Sequence, residues 1–169
     1  MELPPLLRNA VDRALSGMPL DQLTATAAVL SQRYREERHD GKAHVASDQE
    51  VLAYLAVRLP ATYAAVRASF AAVAEARPDF APKTALDIGA GPGTALWAAA
   101  DCWPALADAL LVEASPVFRA FGEQLTAEMQ QPHATWRTSD VALDEINGEP
   151  RDLVTLAYVL NELAPEDRP

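Results

Sequence analysis

The stretch best equipped for chemistry is Asp87-Ile88-Gly89-Ala90-Gly91-Pro92-Gly93. It follows Thr84-Ala85-Leu86-Asp87-Ile88, an apolar run that reads as a strand. It precedes Thr94 to Cys102, which reads as a helix. Glycine lets the backbone turn sharply and lets a ligand approach without a Cβ in the way. The helix that follows directs unpaired N–H groups at the same point, which favours an anionic group there. Ordinary turns also collect glycine, so the strand before and the helix after are what give the motif weight. A dinucleotide fingerprint, G-x-G-x-x-G, needs its third glycine where this chain has Thr94, counting from Gly89, or Leu96, counting from Gly91. The pattern present is D-x-G-x-G-x-G.

That pattern resembles the first motif of class I S-adenosylmethionine (SAM)-dependent methyltransferases. The resemblance implies that Gly89, Ala90, Gly91 and Gly93 wrap the methionine and ribose portion of SAM, with Asp87 under the ammonium end. Glu113 closes the apolar run Ala109-Leu110-Leu111-Val112. An acid at the end of the second strand can accept hydrogen bonds from both ribose hydroxyls; the plain alternative is a solvent-facing strand end. Ser139 and Asp140 follow a third run, Thr135 to Thr138, and are placed to receive the adenine amino group, or to form an ordinary turn. Leu156-Ala157-Tyr158-Val159-Leu160-Asn161-Glu162-Leu163 stands where many methyltransferases hold acceptor-site residues, and the resemblance implies that Tyr158 is a further cofactor contact and that Tyr158 and Asn161 face the methyl group and its acceptor. Glu162 reads as a base or, more simply, as an acid at a helix N-terminus.

Methyl transfer from a sulfonium is an in-line displacement, so alignment is the main requirement and no metal is needed in principle. Two variants of the chemistry lack their residues. Attack on a pyrimidine carbon needs a thiolate, and Cys102 lies at the far end of the helix after the glycine turn, where packing is the simpler role. Amino methylation of bases commonly uses Asn or Asp followed by two prolines and an aromatic, whereas Asn161 is followed by Glu162 and Leu163.

These residues need a parallel sheet to hold them. Strands are expected at 84–88, 109–113, 135–138 and 152–157, with helices at 94–102 and 116–130 between them. Right-handed crossovers place the ligand crevice at the C-terminal strand ends, and the class I methyltransferase resemblance implies the strand order 3-2-1-4. Residues 1–80 read as a helical N-terminal region, and 81–169 as a SAM-binding, Rossmann-like half-domain. Within the first region Leu20, Leu23, Ala27, Leu30 and Tyr34 recur at helical spacing. Residues 39–47 read as a loop. Ser47 and Glu50 form a capping box that opens another helix, and Pro60 kinks or restarts it.

Composition sets the outer bounds. Half of the 169 residues are hydrophobic and 22% are charged, a globular profile, and no apolar run is long enough to span a membrane. With no secretory signal at the start, a cytoplasmic location is expected. The net charge is −10 and is uneven: residues 1–80 carry 9 basic against 10 acidic residues, and residues 81–169 carry 5 against 14. Nucleic-acid binding normally needs a basic footprint. The one candidate cluster is Arg33, Arg35, Arg38, His39, Lys42 and His44; balanced by Glu36, Glu37 and Asp40, it reads more simply as a solvated helix end.

Three segments carry a narrower resemblance: Ala53 to Val66 through Pro60, Leu86 to Ala99 through the glycine turn, and Ala157 to Leu163. They resemble the methyltransferase-like proteins associated with the small ribosomal subunit, a mitochondrial ribosome assembly factor and its bacterial relatives. The likeness implies a SAM-binding protein acting on small-subunit ribosomal RNA, or a catalytically silent assembly factor that keeps the fold. A small-molecule methyltransferase is the reading that the acidic C-terminal half favours. The family resemblance also implies an iron–sulfur cluster on C-terminal cysteines, but Cys102 is the one cysteine of this sequence. Because the sequence stops after its fourth strand, an incomplete half-domain is expected. Its last strand keeps an open edge, and the chain is expected to self-associate through it.

Overall fold

The computed structural model describes residues 2–35, 47–140 and 149–159, the side chains of 33–35 excepted. Four helices come first: α1 (Pro5–Leu15), α2 (Leu20–Arg35), α3 (Asp48–Val57) and α4 (Leu59–Ala76). Strands and helices then alternate as β1 (Thr84–Ile88), α5 (Thr94–Cys102), β2 (Asp108–Val112), α6 (Pro116–Thr126), β3 (His133–Arg137) and β4 (Leu153–Thr155). The strands form one sheet in the order β3-β2-β1-β4, and every pairing is parallel. This is a Rossmann-like α/β arrangement. Its central strand, β1, enters the glycine turn with β2 on one side and β4 on the other.

Local chemistry explains the helix boundaries. The Ser47 hydroxyl accepts from the Glu50 N–H, and the Glu50 carboxylate accepts from the Ser47 N–H at 3.0 Å, so the expected capping box opens α3. The chain then breaks at Arg58, and α4 starts with Pro60 in its first turn, where a missing N–H costs nothing. Pro60 therefore restarts the helix. The expected helix over 116–130 ends at Thr126 instead, because the chain tightens into turns closed by Glu128 N–H to Leu125 C=O and Met129 N–H to Thr126 C=O. Ala127, Glu128, Met129 and Gln130 are all good helix formers, so propensity carries no stop signal there. The expected strand over 152–157 shortens to Leu153–Thr155: the ladder with β1 stops at the Asp87–Thr155 pair, one residue before Ile88, the last residue of β1. The strands expected at 109–113 and 135–138 run over Asp108–Val112 and His133–Arg137.

One hydrophobic core runs from the helices into the sheet. Leu7, Leu30, Val51, Leu55, Leu59 and Tyr63 are buried together with Leu96, Trp97, Trp103, Leu106 and Leu111. Leu20, expected on the same helix face as Leu30, is exposed. The seam between α4 and α5 is also polar. Asp101 Oδ2 accepts from the Tyr63 hydroxyl at 3.1 Å and from Arg67 Nε at 2.6 Å. Burial, then the Asp101 charge, pushes the Tyr63 phenol up to about 12, so it stays a donor at any physiological pH. At the sheet edge Val154 is 56% exposed, so this part of β4 is not covered on both faces.

Gly122 on α6 lies against the Trp136 indole. A Cβ there would stand 2.3 Å from one ring carbon and 2.6 Å from another. Trp136 cannot swing away freely, because its Nε1 donates to Thr126 Oγ1 at 3.1 Å. Gly122→Ala should therefore destabilise the protein by about 1–2 kcal/mol, the overpacking cost less the gain in helix propensity. Urea unfolding followed by tryptophan fluorescence would measure this, and a stabilised variant would show that α6 can lift off β3 without loss.

Candidate cofactor site

The C-terminal ends of β1 and β2 open onto the turn 89–93, whose glycines have φ angles of +65° at Gly89, +54° at Gly91 and +80° at Gly93. A Cβ on Gly91 would meet nothing within 4 Å, so this glycine faces open space, where a ligand can come close. A Cβ on Gly89 would be 2.2 Å from Val159 Cγ2, so the chain beyond β4 backs the turn from behind. Ala90 is buried and spends both backbone groups inside the protein: its N–H donates to Val112 C=O, and its C=O accepts from Gly93 N–H. It shapes the turn and ties it to β2. Gly93 then caps α5, whose N-terminus carries no side-chain cap. The first amides of α5 are thus left pointing into the crevice.

Two carboxylates flank the turn. Asp87 is 3% exposed; its Oδ1 accepts from the Thr155 hydroxyl at 2.6 Å, and its Oδ2 is buried with no hydrogen-bond partner among the described residues. Desolvation, aided by the nearby Glu113 charge and opposed by the Thr155 hydrogen bond, raises Asp87 to about 7. Glu113, just past β2, is 8% exposed, and its Oε2 accepts from Gly91 N–H at 2.7 Å while Oε1 accepts from Ser115 N–H at 2.8 Å. Desolvation raises its pKa against those hydrogen bonds. Each carboxylate oxygen has two acceptor positions, and the Ala114 N–H also bonds this carboxylate, so capacity remains for an outside donor such as a hydroxyl. Asp140, past β3, is near enough to act on the ionisation of Glu113.

The structure therefore brings Asp87, Gly89, Ala90, Gly91, Gly93, Glu113 and Asp140 to one crevice. Ser139 sits beside Asp140, on the loop that leaves β3. Tyr158 is 54% exposed and adopts φ +65°, the left-handed region that an aromatic residue rarely enters. It lines a groove of about 360 Å³ with Val66, Phe70 and Val154, between α4 and β4. Strain of this kind, of the order of 1 kcal/mol or more, gathers at functional sites. Asn161 and Glu162 lie outside the described residues. Cys102 closes α5, at the end of that helix away from the glycine turn. Two residues that matter to the site went unnoticed in the sequence. Thr155 and Val159 stand in an apolar run, and only the pairing of β4 with β1 sets them against Asp87 and Gly89.

Residues 48–169, a span that contains the whole of this crevice, match the family described as mitochondrial small ribosomal subunit Rsm22. The chain belongs to the Rsm22 family. This Rsm22-family chain is similar to the human ribosome assembly protein METTL17, mitochondrial, with 35% identity over 75 residues. The match covers 44% of the chain but 16% of the human protein, so the chain spans a small part of that relative's length. Among solved structures it is similar to magnesium protoporphyrin IX methyltransferase from Synechocystis PCC 6803, crystallised with SAH. That likeness has a TM-score of 0.44 at 18% identity, over 77% of this chain and 54% of the other.

Proposed function

We propose that this Rsm22-family chain binds SAM in the crevice at Gly89–Gly93 and serves a methyltransferase directed at small-subunit ribosomal RNA. The observation that carries the cofactor assignment is the ring of acids around the glycine turn: Asp87, Glu113 and Asp140 stand at the ends of three adjacent strands. A dinucleotide brings a doubly charged pyrophosphate, which such a ring repels. SAM brings a sulfonium and an ammonium, which the ring attracts. The buried, unpartnered Oδ2 of Asp87 needs a donor or a cation, and the ammonium end of SAM supplies one. The α5 N-terminus suits the carboxylate of the same amino-acid end. Glu113 is the acceptor for the ribose hydroxyls, and Ser139 and Asp140 serve the adenine amino group.

When bound, SAM supplies an electrophilic methyl group. The protein's part is to fix the cofactor and to aim the acceptor in line with it, and Tyr158, next in sequence to the Val159 that backs Gly89, is the described candidate for that task. The ribosomal target rests on the family and on the human relative, which is named for ribosome assembly. That name also favours a second reading, a SAM-binding assembly factor that transfers no methyl group. The iron–sulfur cluster implied by the resemblance does not fit the chain's own residues, because a cluster is held by several thiolates and Cys102 is the one cysteine.

Calorimetry with SAM tests the site. Glu113→Ala should lose about 1.5–3 kcal/mol of binding, the value of hydrogen bonds to a charged group. Unchanged affinity would remove Glu113 from the site, and tight NADH binding would overturn the cofactor assignment. Incubation with small ribosomal subunits and methyl-labelled SAM then separates the two readings: label on the RNA supports the enzyme, and association without label supports the assembly factor.

A further inference from the structure

The residue that faces Asp87 across the sheet is Thr155, the last residue of β4. Its hydroxyl lies 2.6 Å from Asp87 Oδ1 and 3.4 Å from Leu86 C=O. The proton can serve one of the two, and the shorter distance, to a carboxylate, takes it. Asp87 is thereby held by one oxygen, with the other buried and without a hydrogen-bond partner among the described residues. The register places this contact. Asp87 pairs with Thr155 in the parallel ladder, so the two side chains leave the sheet on the same face, one strand apart.

We infer that Thr155 is a positioning residue for cofactor recognition: by donating to Oδ1 it keeps Asp87 as an oriented carboxylate whose Oδ2 receives the ammonium of the amino-acid end of SAM. This inference rests on the SAM reading above and deepens it. A buried carboxyl group with a charged neighbour tends to hold its proton, and a protonated Asp87 offers the ammonium no charge. Desolvation and Glu113 push Asp87 towards that neutral state, and Thr155 opposes them. Among the described residues, the charges that act on this pair of carboxyl groups are acidic: Glu113 on Asp87, and Asp140 on Glu113. The glycine turn itself contributes no ionisable side chain. Among the described residues, the Thr155 hydroxyl is the group that lowers Asp87.

The test compares two ligands that differ at the amino-acid end. S-adenosylhomocysteine carries the ammonium. 5′-Methylthioadenosine keeps the adenosine and the sulfur but lacks it. Both are titrated by calorimetry into the full chain as wild type, Thr155→Val and Thr155→Ser, across about pH 6 to 9. Thr155→Val should weaken S-adenosylhomocysteine about tenfold near neutral pH, the loss of a hydrogen bond to a charged group. The deficit should shrink as pH rises and Asp87 ionises without help. Methylthioadenosine affinity should be the same in all three proteins, and Thr155→Ser should match wild type with both ligands. Equal weakening of the two ligands would assign Thr155 to the general stability of the sheet and overturn the inference. So would unchanged S-adenosylhomocysteine affinity in a folded Thr155→Val protein. If wild type binds methylthioadenosine but not S-adenosylhomocysteine, the ammonium contact fails while an adenosine site survives. If wild type binds neither, the SAM reading itself fails, and the inference with it.

Discussion

Asp87→Asn is expected to make the ligand-free protein more stable at about pH 8 while removing its affinity for SAM. The wild-type carboxyl is raised to about 7 in the folded protein, from the usual value near 4 for an unfolded chain. Between those values the folded state holds a proton that the unfolded state has released. Stability therefore falls as pH rises through that window and stays low above it, by up to about 4 kcal/mol. Glu113, also raised, adds a loss of the same sign, but it is present in both proteins. Asparagine is uncharged at every pH and nearly the same shape, and its side-chain oxygen can still accept from Thr155. The variant should match wild type near pH 5, where the carboxyl is protonated, and melt about 5–10 °C higher near pH 8. Thermal unfolding at the two pH values, with SAM titrations alongside, is the measurement. The same gain at both would mean that the buried charge is not the cause. Retained SAM affinity would mean that the ammonium lies elsewhere.

Gly89→Ala should be the most damaging single-methyl change in the site. A Cβ here meets Val159 Cγ2 at 2.2 Å, and the backbone stands at φ +65°, where alanine is strained. The two costs, overpacking and a left-handed backbone, come to about 2–5 kcal/mol and should abolish SAM binding, because the turn must move to relieve them. Gly91→Ala separates the two. Its Cβ has open space, so in the ligand-free protein it should cost only the backbone part, about 1–2 kcal/mol. Adding Val159→Ala to the Gly89 variant should restore the steric part and leave the backbone part. Denaturation midpoints of the single and double variants measure each share. Full tolerance of Gly89→Ala would show that Val159 can leave the turn at no cost.

Much of the fold was readable because its signals are local. The capping box at Ser47, the restart at Pro60 and the alternation of apolar runs with helices each depend on residues a few positions apart. Parallel pairing of β1, β2 and β3 then follows from the connections, since a helix between two strands of a sheet carries the chain back to its starting end. The boundaries that were misjudged depend on distant partners. β4 ends at Thr155, where its ladder with β1 stops, and α6 ends at Thr126 although the next residues favour a helix. Leu20 kept the spacing of a buried face and is exposed, because periodicity records which side of a helix is apolar but not how far along it a neighbour reaches.

The sequence by itself determined that a glycine turn joins a strand to a helix, that its spacing is not that of a dinucleotide site, and that an acid ends the next strand. These are matters of residue type and short spacing, and backbone geometry turns them directly into shape. Only the tertiary structure decided which groups face one another. It set Thr155 on Asp87, Val159 behind Gly89 and the Glu113 carboxylate on the Gly91 N–H, across 68, 70 and 22 residues of chain respectively. It also buried Asp87 deeply enough to raise its pKa. A sequence names the ionisable group, but desolvation and the hydrogen bonds that oppose it come from neighbours brought in by the sheet, and those set its charge.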